Sequence, residues 1–274
     1  MITKVAVLYQ PMVSEARDMA ESLARELPAL GVNGWIGSAW EEETARQRLN
    51  DAEMLITLGG DGTILHAARV ARGTGIPMLT VNFGKVGFLA ELSPADLLPK
   101  LPAILAGQYW LEQRSMLRCA VFRSGEQLAE HHALNEVVVA RSCGLRVIKL
   151  RIDIDGTDVV KYQADGVIVA TATGSTAYAL AAGGPIMHPE LKDVLLLPIC
   201  PYMASDRALT LPAQAKIGVT VLGDHDPQVS LDGQISVPLQ VGDRIEVAHD
   251  DDSAIFVRVR QRDYFYQTLT EMLR

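Results

Sequence analysis

The chain has 274 residues, 49% of them hydrophobic and 21% charged, with a formal net charge of −8. That length suffices for one large or two ordinary domains with a substantial core, and the composition is globular rather than disordered. The negative balance excludes broad binding to nucleic acid or anionic lipid, which needs a basic surface, but leaves room for a small basic pocket.

Cys119, Cys143 and Cys200 are scattered with no CxxC pair, which points to a reducing compartment without a disulfide framework or zinc site. The opening MITKVAVLYQ reads directly as a strand with no signal-peptide core. No apolar run approaches the roughly 20 residues that span a bilayer, so the expectation is a cytoplasmic protein.

In chain order, Val5 to Tyr9 is a short apolar, β-branched run. Ala16, Met19, Ala20, Leu23, Ala24 and Leu27 follow with helical spacing, ended by Pro28 and Gly31. Met54 to Leu58 reads as a buried strand, Ile64 to Ala71 as helix and Ile76 to Val81 as strand. Ser93-Pro94 is an N-cap and first-turn pair for a helix to about Ala106. Alternating strands and helices predict a parallel sheet with flanking helices over residues 1–110.

Beyond Tyr109 the pattern changes. Ile148, Leu150, Ile152 and Ile154 alternate with charged residues and end at the turn Asp155-Gly156. Short strand-like runs recur at 117–122, 137–141, 167–170, 194–199, 216–222, 244–248 and 255–260, many of them separated by turns such as Gly223-Asp224, Asp232-Gly233 and Gly242-Asp243. This predicts an antiparallel, all-β sandwich-like domain over 111–254. The segment 255–274, with Tyr264 to Leu273 helical, is expected to rejoin the first domain. With no Pro-, Gly- or Ser-rich linker, the domains are expected to pack tightly around a cleft.

Three segments carry chemistry. Gly59-Gly60-Asp61-Gly62-Thr63 lies between a strand and a helix, where bare N–H groups and the positive helix end can receive a phosphate. Asp61 is out of place there unless it accepts a proton or holds a cation; the plainer alternative is a tight turn. Neither a Walker motif nor GxGxxG spacing is present. Asn135-Glu136 opens a strand and can clamp a ribose diol or an adenine amine, or simply form a turn. Asp165 begins a strand that leads into the hydroxyl loop Thr171 to Thr176 and then Tyr178, whose hydroxyls can meet phosphate or cap the next helix.

Other residues read as structural. His131-His132, His188, His225 and His249 lack metal-ligand spacing, Asp250-Asp251-Asp252 reads as a solvated turn, and Trp35, Trp40 and Trp110 as packing residues. Ser230-Leu231-Asp232-Gly233-Gln234 reads as a hairpin turn.

Taken together, LGGDGTILHAAR, VNFGKVGFLAEL, LNEVVVAR, ADGVIVATATGSTAYALAAGGPIMHPE, LPICPY and LDGQ resemble the NAD kinase family over most of residues 55–235, in the family's order. The resemblance implies the α/β plus β-sandwich architecture and NAD in the cleft. It implies transfer of a phosphoryl group from ATP or polyphosphate to the adenosine-ribose 2′-hydroxyl, forming NADP. It also implies a divalent cation (magnesium or manganese) and a homodimer or homotetramer. Asp61 matches the proton acceptor, and Gly59, Gly60, Gly62 and Thr63 the phosphate loop. NAD contacts are implied at Asp61, Gly62, His66, Asn135, Glu136, Arg146, Gln163, Asp165, Thr176, Ala177, Tyr178, Ala179, Leu180, Ala181 and Gln234.

The usual Ser-Thr-Pro-Thr-Gly-Ser-Thr reads here Ala170-Thr171-Ala172-Thr173-Gly174-Ser175-Thr176, without the proline and one hydroxyl. Gln163 stands where a basic residue is frequent. Diacylglycerol and sphingoid-base kinases resemble the GGDGT loop too, but Asn135-Glu136 with Arg146, the acidic charge and the lack of an amphipathic basic helix favour a soluble dinucleotide acceptor. A non-catalytic NADP(H) sensor would gain nothing from Asp61.

Overall fold

Fully apolar strands need cover on both faces, and the first third of the chain supplies it with helices. The computed structural model describes residues 1–84, 87–142, 146–202, 207–223 and 226–272, apart from the side chain of Asn50. Cys143, His225 and the second residue of the Gly223-Asp224 turn lie outside the described residues, as do Lys85 and Val86. The chain divides into two units, residues 1–113 with 253–274, and residues 114–252.

In the first unit, β1 (Lys4–Tyr9), α1 (Ser14–Glu26), β2 (Asn33–Ser38), α2 (Glu42–Arg48), β3 (Met54–Gly59), α3 (Asp61–Ala71), β4 (Met78–Asn82) and α4 (Pro94–Leu105) follow one another. The strands pair in parallel in the order β2-β1-β3-β4. All six residues of β3 are buried. Val7, Ile56 and Val81 from the sheet pack with Leu23 of α1 and with Leu97 and Leu101 of α4. The helix α4 keeps its course through Pro99 and Pro102. An interior proline costs about 3 kcal/mol, and here burial of Leu97, Leu101, Ile104 and Leu105 offsets it.

The second unit is β-rich. Its elements are β5 (Trp110–Arg123, shared with the first unit), β6 (Glu126–Ala133), β7 (Glu136–Arg141), β8 (Ile148–Ile154), β9 (Thr157–Ala164), β10 (Gly166–Ala170), α5 (Tyr178–Ala181), β11 (Val194–Ile199), β12 (Leu209–Leu211), β13 (Ile217–Val221), β14 (Pro227–Leu231) and β15 (Ile235–Pro238). A final long strand, β16 (Arg244–Arg258), gives its first part to this unit and its last residues to the first, where Phe256 pairs in parallel with Met78. The helix α6 (Tyr264–Met272) follows.

Six strands form an antiparallel sheet in the order β12-β11-β10-β7-β14-β15. Opposite it, β16, β13, β8 and β9 pair antiparallel. Val137, Val139, Val167 and Val169 from one sheet meet Leu150, Ile152, Val219 and Ile245 from the other, the two-layer core of a β-sandwich. The predicted α/β plus β-sandwich class is thus what folds. No helix among the described residues is long and apolar enough to cross a membrane.

One expectation needs correction. Asp250-Asp251-Asp252 is not a turn between two strands but lies within β16. Asp250 is buried, with Oδ2 2.6 Å from Nδ1 of His132 on β6. A neighbour able to supply a proton lets an acidic side chain remain inside the sheet.

Candidate active site

The glycine loop of the first unit is built around Thr63. A Cβ on Gly59 would stand 2.1 Å from Thr63 Oγ1, so only glycine lets the strand end close on the helix, whereas Gly60 faces open space. Gly60 is the N-cap of α3 and provides no side-chain cap. The 11-residue helix therefore presents its positive end with Asp61 as its first residue. Asp61 and Gly62 are surface-accessible, and Thr63 is buried with Oγ1 lacking a protein partner. Asp61 can be reached by solvent, yet the protein packed around it raises its pKa by desolvation. That makes it a better proton acceptor than an ordinary aspartate.

His66, one turn further along α3, is engaged locally. Its Nδ1 contacts Glu42 Oε1 and lies 3.0 Å from Arg69 Nη2, and its ring stacks on Trp40 at 4.4 Å between centroids. These contacts tie α3 to α2. Trp35 packs beneath Arg48, and Trp110 Nε1 donates to the Arg260 carbonyl.

In the second unit, the Asn135-Glu136 pair and the hydroxyl loop form one body. Thr171 Oγ1 donates to the Leu134 carbonyl at 2.7 Å and accepts from Gly174 N at 3.0 Å. Thr171 N donates to the Asn135 carbonyl. The other hydroxyls are likewise spent on the loop. Ser175 donates to the Ala172 carbonyl and accepts from Met187 N, Thr176 donates to the Thr173 carbonyl, and buried Arg114 donates to Thr173 Oγ1. These bonds hold the loop without the usual proline, with Ala172 packed in the core in its place.

Asp232 is a residue that reading the sequence undervalued. Its carboxylate accepts backbone N–H bonds from Leu134, Asn135 and Glu136 at 2.8–3.1 Å, and its own N–H donates to the Glu136 carbonyl. Asp232 and Gly233 both have positive φ, 51° and 65°, as a tight hairpin turn between β14 and β15 requires. The only trace in the sequence is the Asp-Gly pair, which any turn could supply.

Glu136 faces a cavity of about 370 Å³ lined also by Val138, Ala140, Tyr178, Gln228, Ser230, Asp232 and Gly233. Burial, reinforced by the negative charge of Asp232, pushes the Glu136 carboxyl up to about 7, against a lowering contribution from the Tyr178 N–H. Oε2 of Glu136 and Oδ1 of Asn135 are buried without a protein partner. Glu136 Oε2, an acceptor with nothing to accept from in a cavity that Tyr178 also lines, suits a polar ligand edge.

The remaining predicted residues spread around this frame. Asp165 is held by a two-pronged bond from Arg141, at 2.8 and 3.1 Å, which keeps its carboxyl below the usual range. Arg141 carries no signal in the sequence, because the pair forms across neighbouring strands. Thr176 and Ala177 are half-buried, Tyr178 and Ala181 exposed, and Leu180 half-buried. Ala179 is buried in the apolar cluster behind the sheet. Gln163 is exposed on β9 and its carbonyl accepts from Tyr202 N, while Arg146 is exposed before β8. Gln234 closes the hairpin turn through its N–H to the Leu231 carbonyl.

Among the described residues no three His, Cys, Asp or Glu side chains gather into a metal cage. A magnesium-type ion needs none, since it is commonly held by substrate phosphates with one or two carboxylates. Asp61 is the carboxylate at the glycine loop.

Comparison with known proteins matches residues 4–109 to the family described as the ATP-NAD kinase N-terminal domain and 134–259 to that described as the ATP-NAD kinase C-terminal domain. NAD kinases of Dehalococcoides mccartyi and Chloroflexus aggregans are each 37% identical, with 100% of this chain aligned to 97% and 99% of theirs. Among solved structures, yeast NADH kinase complexed with NADH superposes with a TM-score of 0.86 at 27% identity, covering 99% of this chain and 87% of that one. An NAD kinase from Archaeoglobus fulgidus in complex with ATP gives 0.77 at 26% identity, covering 99% of both chains. The chain belongs to the NAD kinase family.

Proposed function

We propose that this enzyme phosphorylates NAD with Asp61 as the proton acceptor, and the observation that carries the reading is Asp61 at the uncapped start of α3 with its pKa raised. As the 2′-oxygen of the adenosine ribose attacks the terminal phosphorus of the donor, its proton passes to an Asp61 carboxylate oxygen. The new O–P bond forms as the bond to the donor's bridging oxygen breaks, leaving ADP or a shortened polyphosphate. The complexes of the two structural relatives with NADH and ATP support this pair of substrate classes.

Asn135 and Glu136 bind the ribose or adenine with their unpartnered oxygens, and Tyr178 packs against the same ligand beside Glu136. Gly60, Gly62 and the helix start receive phosphate. A divalent cation, magnesium or manganese, would neutralise the donor phosphates beside Asp61, because the loop carries no Walker lysine.

Asp61→Asn keeps the shape and removes the basic oxygen. Turnover in a coupled assay should fall at least about 100-fold, within the usual range for general-base loss. NADP affinity by calorimetry should hold or tighten, because the product phosphate no longer faces a carboxylate. Near-normal turnover would remove Asp61 from the chemistry, and joint loss of turnover and NADP binding would make it a scaffold residue.

A further inference from the structure

A second cavity of about 400 Å³ lies wholly within the β-rich unit and shares no residue with the sites above. Arg118 of β5, Lys192 ahead of β11, Ala213, Gln214 and Lys216 between β12 and β13, and Ala248, His249 and Asp251 of β16 line it. Three separate stretches of chain thus bring three permanent cations to one hollow, in a protein whose net charge is −8.

Along the wall itself three cations stand against one carboxylate. Glu130 pairs with Arg118 at 3.3 Å, and Asp251 is the carboxylate in the wall. Asp155 takes the backbone N–H of Lys216 rather than its ammonium group. Neither Lys192 nor Lys216 has an ion-pair partner among the described residues. His249 adds an Nε2 atom that is shielded from solvent and has no protein partner, the condition of a group that awaits a ligand or water.

We propose that this hollow is a ligand site for a compact multivalent anion of the phosphate class, held by Lys192, Lys216 and Arg118 with His249 at its wall. Ammonium groups on flexible stems and a guanidinium converge on such an anion without a dedicated loop. The volume admits an ion the size of pyrophosphate with some of its water.

The test is site-resolved, so that anion binding at the glycine loop cannot mimic it. The full-length protein is acylated at its lysines with and without inorganic pyrophosphate, at ionic strength matched with sodium chloride, and each lysine is followed by peptide mass spectrometry. Pyrophosphate should slow labelling of Lys192 and Lys216 at least about threefold, as expected of ammonium groups held in charge-assisted bonds. Lys149 and Lys161, exposed on β8 and β9, should label unchanged. In Lys216→Gln, a surface change that spares the fold, the protection of Lys192 should vanish. Equal labelling with and without pyrophosphate overturns the proposal. So does equal protection by chloride, or protection of Lys192 that survives Lys216→Gln.

Discussion

A Cβ on Gly174 would stand 2.1 Å from the carbonyl oxygen of Asn135 and 2.5 Å from its carbonyl carbon. The obstacle is backbone, which cannot swing aside as a side-chain tip can. The hydroxyl loop and the Asn135-Glu136 strand start therefore approach as closely as two main chains allow, and glycine is the residue that permits it.

Gly174→Ala should then act on two properties at once. Forcing the loop outward costs about 1–3 kcal/mol of stability, as overpacking does, visible as a lower urea midpoint. It should also weaken NAD binding, because Asn135 and Tyr178 are held by that loop. A variant with wild-type stability and NAD affinity would show that the loop relaxes freely.

Glu136 predicts a pH dependence. Its folded pKa of about 7 lies above the ordinary value of 4.5, so between those pH values the native state binds more protons than the unfolded chain. Stability therefore falls as pH rises through that window, by roughly 3 kcal/mol for such a shift. Glu136→Gln removes the buried ionisable group and should gain stability over wild type at pH 8, with the advantage disappearing near pH 4. Parallel denaturation curves for the two proteins at both pH values would refute this.

Arg258 is fully buried and bonded to Glu112, Glu91 and the carbonyls of Phe88 and Leu89. Tyr264 donates to Glu112 and lies under the guanidinium at 4.7 Å. Arg258→Met would take the cation from buried Glu112, while Glu91 keeps Arg260 and the N–H groups of residues 259 and 260, at a cost of about 3–5 kcal/mol. Arg258→Lys should rescue little of it, since an ammonium cannot reproduce the fork. Urea unfolding of the two variants is the measurement, and a mild loss in Arg258→Met would mean that Glu112 takes up a proton cheaply.

Activity should be absent in excess chelator and return with magnesium or manganese, while the far-ultraviolet circular dichroism stays constant. That combination places the cation with the reacting phosphates rather than in the fold. Full turnover in chelator would remove the cation from the proposed function.

The architecture was legible because its signals are local. Period-two alternation from Ile148 to Ile154 and helical spacing from Ala16 to Leu27 each belong to one element. The glycine loop was legible for the same reason: strand, Gly59-Gly60-Asp61 and helix are consecutive. What stayed hidden depends on partners distant in sequence. The continuity of β16 through three aspartates rests on His132, the role of Asp232 rests on three N–H groups of residues 134–136, and the tether on Asp165 rests on Arg141. The hydroxyls of Thr171 and Thr173 looked available for a ligand because their partners, the Leu134 carbonyl and Arg114, only come into reach after folding.

The division of β16 between the two units has a consequence for the order of assembly on the ribosome. Most of the first unit precedes the second in sequence, yet Arg258, which neutralises Glu91 and Glu112, emerges only after the whole of residues 114–252. Until then Met78 of β4 lacks its partner Phe256 and both acids are without their cation. The continuous β-rich unit has no such wait. Nascent chains should therefore acquire protease resistance in the middle of the sequence before the beginning, the reverse of the usual N-terminal-first order.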